Sequence, residues 1–125
     1  MTPLLFVGVA LAGGLGAALR LLVDRAVLAR AEGTYPWGIT IINLTGSFAI
    51  GFVAGLAQST LLSAPWVSGL AVGLLGGYTT FSTVAVETAL MVRRREWAPA
   101  VLNGAAQLVA AVALAAIGMA VGAAL

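Results

Sequence analysis

The sequence predicts an all-α membrane protein of four transmembrane helices, the third of them broken near its middle. Three observations predict it. Of 125 residues, 62% are hydrophobic and 8% are charged, against roughly 25% charged in an ordinary soluble domain, so no water-facing surface can be built from this chain. Met1 to Leu19, Gly33 to Val86 and Trp97 to Leu125 contain no Asp, Glu, Lys or Arg, and about 20 apolar residues span a bilayer. The run Gly76-Gly77-Tyr78-Thr79-Thr80-Phe81-Ser82-Thr83 then places two glycines and four Ser and Thr hydroxyls in mid-span, where glycine loosens the backbone and such hydroxyls compete for its hydrogen bonds.

Residues 1–125 read as a single four-helix transmembrane domain with helices near 2–28, 35–58, 66–92 and 98–124. The first run is a span rather than a cleaved signal peptide, because no Lys or Arg precedes it and it is long for the apolar core of a signal. The middle stretch holds two spans, divided by Gln58-Ser59-Thr60-Leu61-Leu62-Ser63-Ala64-Pro65 with its polar residues and a helix-stopping proline. The last stretch supplies the fourth. Trp37, Trp66 and Trp97 fall near helix ends, as interfacial anchors do. Small residues recur at four-residue spacing: Gly8, Ala12 and Gly16; Ser47, Gly51 and Gly55; Gly69, Gly73 and Gly77; Gly118 and Gly122. Such rows let helix backbones approach closely in lipid. Four of them in so small a bundle suggest that a second subunit uses part of the surface.

The chain has no Cys and no His, which removes disulfides, thiolate chemistry and the usual general base and metal ligand. An enzyme is therefore not expected, since Glu87 alone in the membrane cannot form a nucleophile and base pair. The net charge of +2 comes from ten charged groups and gives no reason to expect a nucleic-acid partner; the positive charges sit beside membrane spans and report topology. Arg25 and Arg30 lie in the first connection, Arg93, Arg94 and Arg95 in the third, and Arg20 nearby. The positive-inside rule then makes these connections cytoplasmic and both termini external.

Within the membrane, the run from Gly76 to Thr83 has two readings. One is a break whose freed carbonyls coordinate a cation; the other is a glycine-packed crossing with hydroxyls bonded back onto their own helix. Thr40, Asn43 and Ser47 form a polar stripe on the second helix, and Asn103 and Gln107 a shorter one on the fourth. Each stripe would either donate to an anion in a pore or make interhelical hydrogen bonds. Glu87 lies one turn past Thr83 and would either serve function or reach the interface to pair with an arginine.

Three motifs together resemble the Fluc/CrcB family of bacterial fluoride channels over essentially the whole chain: Gly13-Gly14-Leu15-Gly16-Ala17-Ala18-Leu19-Arg20, Gly38-Ile39-Thr40-Ile41-Ile42-Asn43-Leu44-Thr45-Gly46-Ser47-Phe48, and the Gly76 to Thr83 run with Glu87. The resemblance implies an antiparallel, dual-topology dimer in the bacterial plasma (inner) membrane, with two fluoride pores among lipid and passive export of fluoride. It implies a structural sodium ion at the dimer centre, held by the main-chain carbonyls of Gly76 and Thr79. Asn43 would donate to fluoride, Phe81 would turn its positive ring edge toward the ion, and Arg20 would attract anions at a vestibule. Thr40, Ser47, Ser82, Thr83, Glu87, Asn103 and Gln107 complete the expected pore.

Two departures from the family pattern matter. Val84 stands where similar members carry a second phenylalanine, and on helix four the polar stripe stops at Gln107, with Ala111 and Ala115 following. A homodimer of opposed copies also asks for little arginine asymmetry, whereas this chain has much. These features together suggest a heterodimer with a homologous subunit of opposite orientation that carries the missing phenylalanine. The alternatives are a small multidrug or cation exporter, for which helix one lacks the expected deep acid, and a non-conducting subunit of a heteromeric channel.

Overall fold

The computed structural model describes residues 2–59 and 61–125; Met1, in the first uncharged stretch, and Thr60, in the polar divider, lie outside the described residues. Helix α1 (Pro3–Leu28) opens on Thr2, whose Oγ1 accepts the Leu5 N–H at 3.3 Å, and Pro3 occupies the first turn, where its missing N–H costs nothing. Helix α2 covers Trp37–Gln58. The third span begins as α3 (Ala64–Val67), widens into a π-helical stretch (Ser68–Leu75) and returns to α4 (Gly76–Tyr78). It breaks and then resumes as α5 (Ser82–Arg93). The fourth runs from α6 (Trp97–Val101) through a π-helical stretch (Leu102–Ala106) into α7 (Gln107–Ala123). Among the described residues four helices are thus long and apolar enough to cross a membrane, and the chain is a multi-pass membrane protein.

One local expectation is corrected and another is sharpened. Pro65 does not stop a helix; it sits in the first turn of α3 and starts one, because an N-terminal N–H has no intrahelical partner to lose. The break lies within the expected Gly76 to Thr83 run, at its hydroxyls rather than its glycines. Gly76 and Gly77 stay helical, and the chain leaves the helix at Thr79, with φ −78° and ψ 160°. Gly77 serves close approach instead: a Cβ there would collide with the Gly13 carbonyl of α1, as one at Gly16 would collide with the Leu74 carbonyl.

The break lets one span serve two neighbours. Before it, the third span packs chiefly on α1; after it, α5 packs on the fourth span. The most extensive contact joins α2 to α7. There Gly51 and Gly55 meet the Ala115 and Met119 carbonyls, and Gly118 and Gly122 meet those of Phe48 and Phe52. These rows are consumed inside the chain, whereas Gly8 and Gly69 have no neighbour within 4 Å among the described residues.

The interior is narrow and half polar. Ile39, Ile42, Val53, Met91 and Ala100 are its buried apolar side chains, and Asn43, Thr80, Asn103 and Gln107 are buried beside them. Large apolar residues such as Leu4, Leu11, Val72 and Val109 face outward, the reverse of a soluble fold and what a lipid environment permits. Trp37, Trp66 and Trp97 are exposed at the starts of their spans. Between α5 and α6 the chain turns through Arg95 at φ 60°. The Glu96 N–H reaches the Met91 carbonyl and the Arg95 N–H that of Val92, closing the helix in a Schellman pattern. Arg94 forks onto Glu96 at 3.1 and 3.2 Å, and this hydrogen bond holds the guanidinium above its ordinary pKa.

Candidate functional site at the helix break

Unwinding Thr79 to Phe81 leaves backbone groups that must find partners inside the bundle. Asn43, one turn and a half into α2, supplies them. Its Oδ1 accepts the Thr80 N–H at 2.8 Å, and its Nδ2 donates to the Thr80 carbonyl at 2.9 Å, both buried. The carboxamide thus takes the place of a helical hydrogen-bond pair. A second consequence follows one turn earlier. The Thr80 N–H would have bonded the Gly76 carbonyl in an unbroken helix; with it turned to Asn43, that carbonyl accepts no backbone hydrogen bond among the described residues.

Arg20 reaches the break from α1, its Nη1 donating to the Thr79 carbonyl at 3.2 Å. The Thr79 hydroxyl bonds back to the Leu75 carbonyl at 3.0 Å. Thr80 gathers the hydroxyls that follow: its Oγ1 lies 3.3 Å from Ser82 Oγ and 3.1 Å from Thr83 Oγ1, and accepts the Thr83 N–H. The Thr80 hydroxyl therefore caps the start of α5 by accepting the Thr83 N–H. Tyr78 and Thr79 fit against Gly46 of α2, where a Cβ would overlap them, and the Tyr78 hydroxyl meets that of Thr45 at 3.2 Å.

Beside the break lies a cleft of about 600 Å3 between α2, α5 and the fourth span. Asn43, Ser47, Thr79, Phe81 and Gln107 line it, as do Thr80, Val84, Thr88 and Ala111. Of the residues singled out from sequence, the fold thus gathers Asn43, Ser47, Phe81 and Gln107 on one cavity. Thr40 stands directly behind it, its hydroxyl donating to Gln107 Oε1 at 3.0 Å. That bond leaves the Gln107 amide hydrogens without a protein acceptor among the described residues, and one Asn43 N–H and the Ser47 hydroxyl are left likewise. The walls therefore offer hydrogen-bond donors. Phe81, at the mouth, is 80% exposed.

The remaining candidates lie elsewhere. Asn103 is wholly buried behind the wall, with Nδ2 on Thr88 Oγ1 at 2.9 Å and on the Val84 carbonyl at 3.3 Å. Glu87 is not among the residues that line the cleft, and its carboxylate makes no hydrogen bond among the described residues. Arg20 lies deep on the break, about 12 Å inside the end of α1 by helical rise. Thr88 is the polar wall residue that sequence reading did not single out. Thr88 falls seven residues after Phe81 and four after Val84, on the same helical face, and extending that face would have found it.

Comparison with known proteins fits this geometry. The family model described as CrcB-like protein, Camphor Resistance (CrcB), matches residues 7–119. The chain is 42% identical over 119 residues to the protein named fluoride-specific ion channel FluC 1 of Leifsonia xyli subsp. xyli, covering 95% of this chain and 87% of that one. It is 39% identical over 118 residues to fluoride-specific ion channel FluC 2 of Mycobacterium tuberculosis (strain ATCC 25618 / H37Rv), covering 94% and 90%. With fluoride-specific ion channel FluC of Shewanella oneidensis the identity is 37% over 95 residues, covering 76% and 77%. These relatives are ion channels by name, not enzymes. A match of such extent, on a four-span chain with its third span broken beside a donor-lined cleft, makes this protein a member of the CrcB-like family.

Proposed function

We propose that this chain is a subunit of a fluoride-selective channel through which fluoride leaves the cytoplasm passively, and that it works in the plasma (inner) membrane of a bacterium. The observation that carries the reading is the cleft beside the break. A small, strongly hydrated anion enters a membrane interior only where fixed donors replace its water. The free donors of Asn43, Ser47 and Gln107 do this, the exposed Phe81 adds the positive edge of its ring, and Arg20 draws anions inward. The names of the matched relatives support fluoride as the anion.

The unit that conducts is an antiparallel dimer of subunits in opposite orientations. A Phe81 that is 80% exposed at a mid-membrane break supports this, since a second subunit would cover it and complete the cleft. A structural sodium ion at the dimer centre is held by the carbonyls of Gly76 and Thr79. The donor set fits: hard carbonyl oxygens suit a hard cation, the Gly76 carbonyl is left without a backbone donor, and the Thr79 carbonyl, with Arg20 on one lone pair, keeps the other.

A second reading concerns the partner. In it a homologous subunit of opposite orientation takes the place of a copy of this chain: Arg25, Arg30, Arg93, Arg94 and Arg95 sit toward one side, and Val84 lines the cleft where an aromatic ring would serve. Reconstituting the chain alone decides: fluoride efflux from such liposomes overturns the heteromer and leaves the channel standing.

A further inference from the structure

Resting on the fluoride reading, we propose that Thr88 is a further fluoride ligand, a hydroxyl donor at the inner end of the cleft, and that Asn103 is the positioning residue that aims it. Thr88 lies in the cleft wall about 10 Å beyond Phe81 by helical rise. A threonine in a helix ordinarily turns its hydroxyl onto the carbonyl four residues back. Thr45 does so at 2.7 Å and Thr79 at 3.0 Å. Thr88 does not: the Val84 carbonyl that it would use receives Asn103 Nδ2 at 3.3 Å, and the same nitrogen donates to Thr88 Oγ1 at 2.9 Å.

The rotamer is held from a second side. Gly104 leaves room for the Thr88 methyl, which a Cβ there would approach to 3.2 Å. With its oxygen accepting from Asn103 and its methyl on Gly104, Thr88 keeps its hydroxyl hydrogen for an acceptor in the cleft that it lines. A group that offers only a proton, in a cavity already supplied with amide donors, suits a small hard anion.

Asn103 bears the cost of this arrangement. It is wholly buried and its Oδ1 has no partner among the described residues, an uncommon condition in a folded interior. The amide cannot turn over to relieve it, since Oδ1 would then face the Val84 carbonyl oxygen. A residue kept only for packing would be better apolar; this one is explained by the hydroxyl that it orients.

The test is fluoride efflux from proteoliposomes of the full chain, read with a fluoride electrode at several fluoride concentrations, for wild type, T88V, T88S and N103L. T88V lowers efflux about tenfold, the loss that one hydrogen bond to an ion entails, while T88S stays within about twofold of wild type by restoring the hydroxyl. N103L lowers efflux as T88V does without lowering thermal stability in detergent, and the double variant is no worse than either single one, because both act on one interaction. T88V conducting like wild type overturns the inference and leaves the channel reading intact; wild type that passes no fluoride, alone or reconstituted together with a homologous subunit, removes both. Should T88V fail to give a monodisperse protein, T88A makes the same comparison.

Discussion

Replacing Asn43 with leucine removes the clamp on the broken span. Two hydrogen bonds, at 2.8 and 2.9 Å, go at once, and Thr80 is 8% exposed. A lower bound takes each at the membrane-protein average of about 0.6 kcal/mol, about 1 kcal/mol in sum. An upper bound treats the Thr80 N–H and C=O as two orphaned buried groups at about 1 to 3 kcal/mol each, up to about 6 kcal/mol. The true value lies nearer the middle, about 3 kcal/mol, because the Thr80 N–H can regain the Gly76 carbonyl only by rewinding Thr79 from ψ 160°. Unfolding in mixed micelles at rising SDS fraction, followed by far-ultraviolet circular dichroism, measures it. Ser47→Ala is the control: it lines the same cleft but makes no hydrogen bond among the described residues, so it stays within about 0.5 kcal/mol of wild type. An N43L protein as stable as S47A refutes the clamp.

Packing and ion binding give further expectations. Gly16→Ala forces a Cβ to within 2.8 Å of the Tyr78 nitrogen and costs about 1 to 3 kcal/mol, whereas Gly8→Ala, with open space around it, gains about 0.5 to 1 kcal/mol of helix propensity; the same SDS titration reads both. If Gly76 and Thr79 hold sodium between two subunits, thermal unfolding in detergent shifts upward with sodium concentration and not with an equal concentration of a bulky organic cation. Equal midpoints in the two salts count against the sodium site.

Much of the architecture is legible in the sequence because a bilayer imposes one dominant rule, that a span be long and uncharged. That rule places all four spans and the weak third one. What it does not reveal is how neighbours divide the work. The rows of small residues announce close approach, but only the fold shows that Gly51 and Gly55 are consumed by α7 while Gly8 stays open. The Gly76 to Thr83 run suggested unwinding but not its point; Gly77, packed on α1, stays helical, and the break begins at Thr79, where Asn43 and Arg20 compensate the backbone. Periodicity put Asn43 on a polar face without saying what lies across from it. Thr88 was hidden for a related reason: a lone hydroxyl on an amphipathic turn carries no signal until Asn103, fifteen residues on, is seen to hold it.

The channel reading itself meets its most direct test in a fluoride-electrode recording of efflux from liposomes containing this chain, with chloride efflux measured in parallel and Phe81→Leu beside wild type. It predicts fluoride release, no chloride release, and a drop of about tenfold in F81L with the fold intact. Chloride passing as freely as fluoride, or F81L conducting like wild type, contradicts the account.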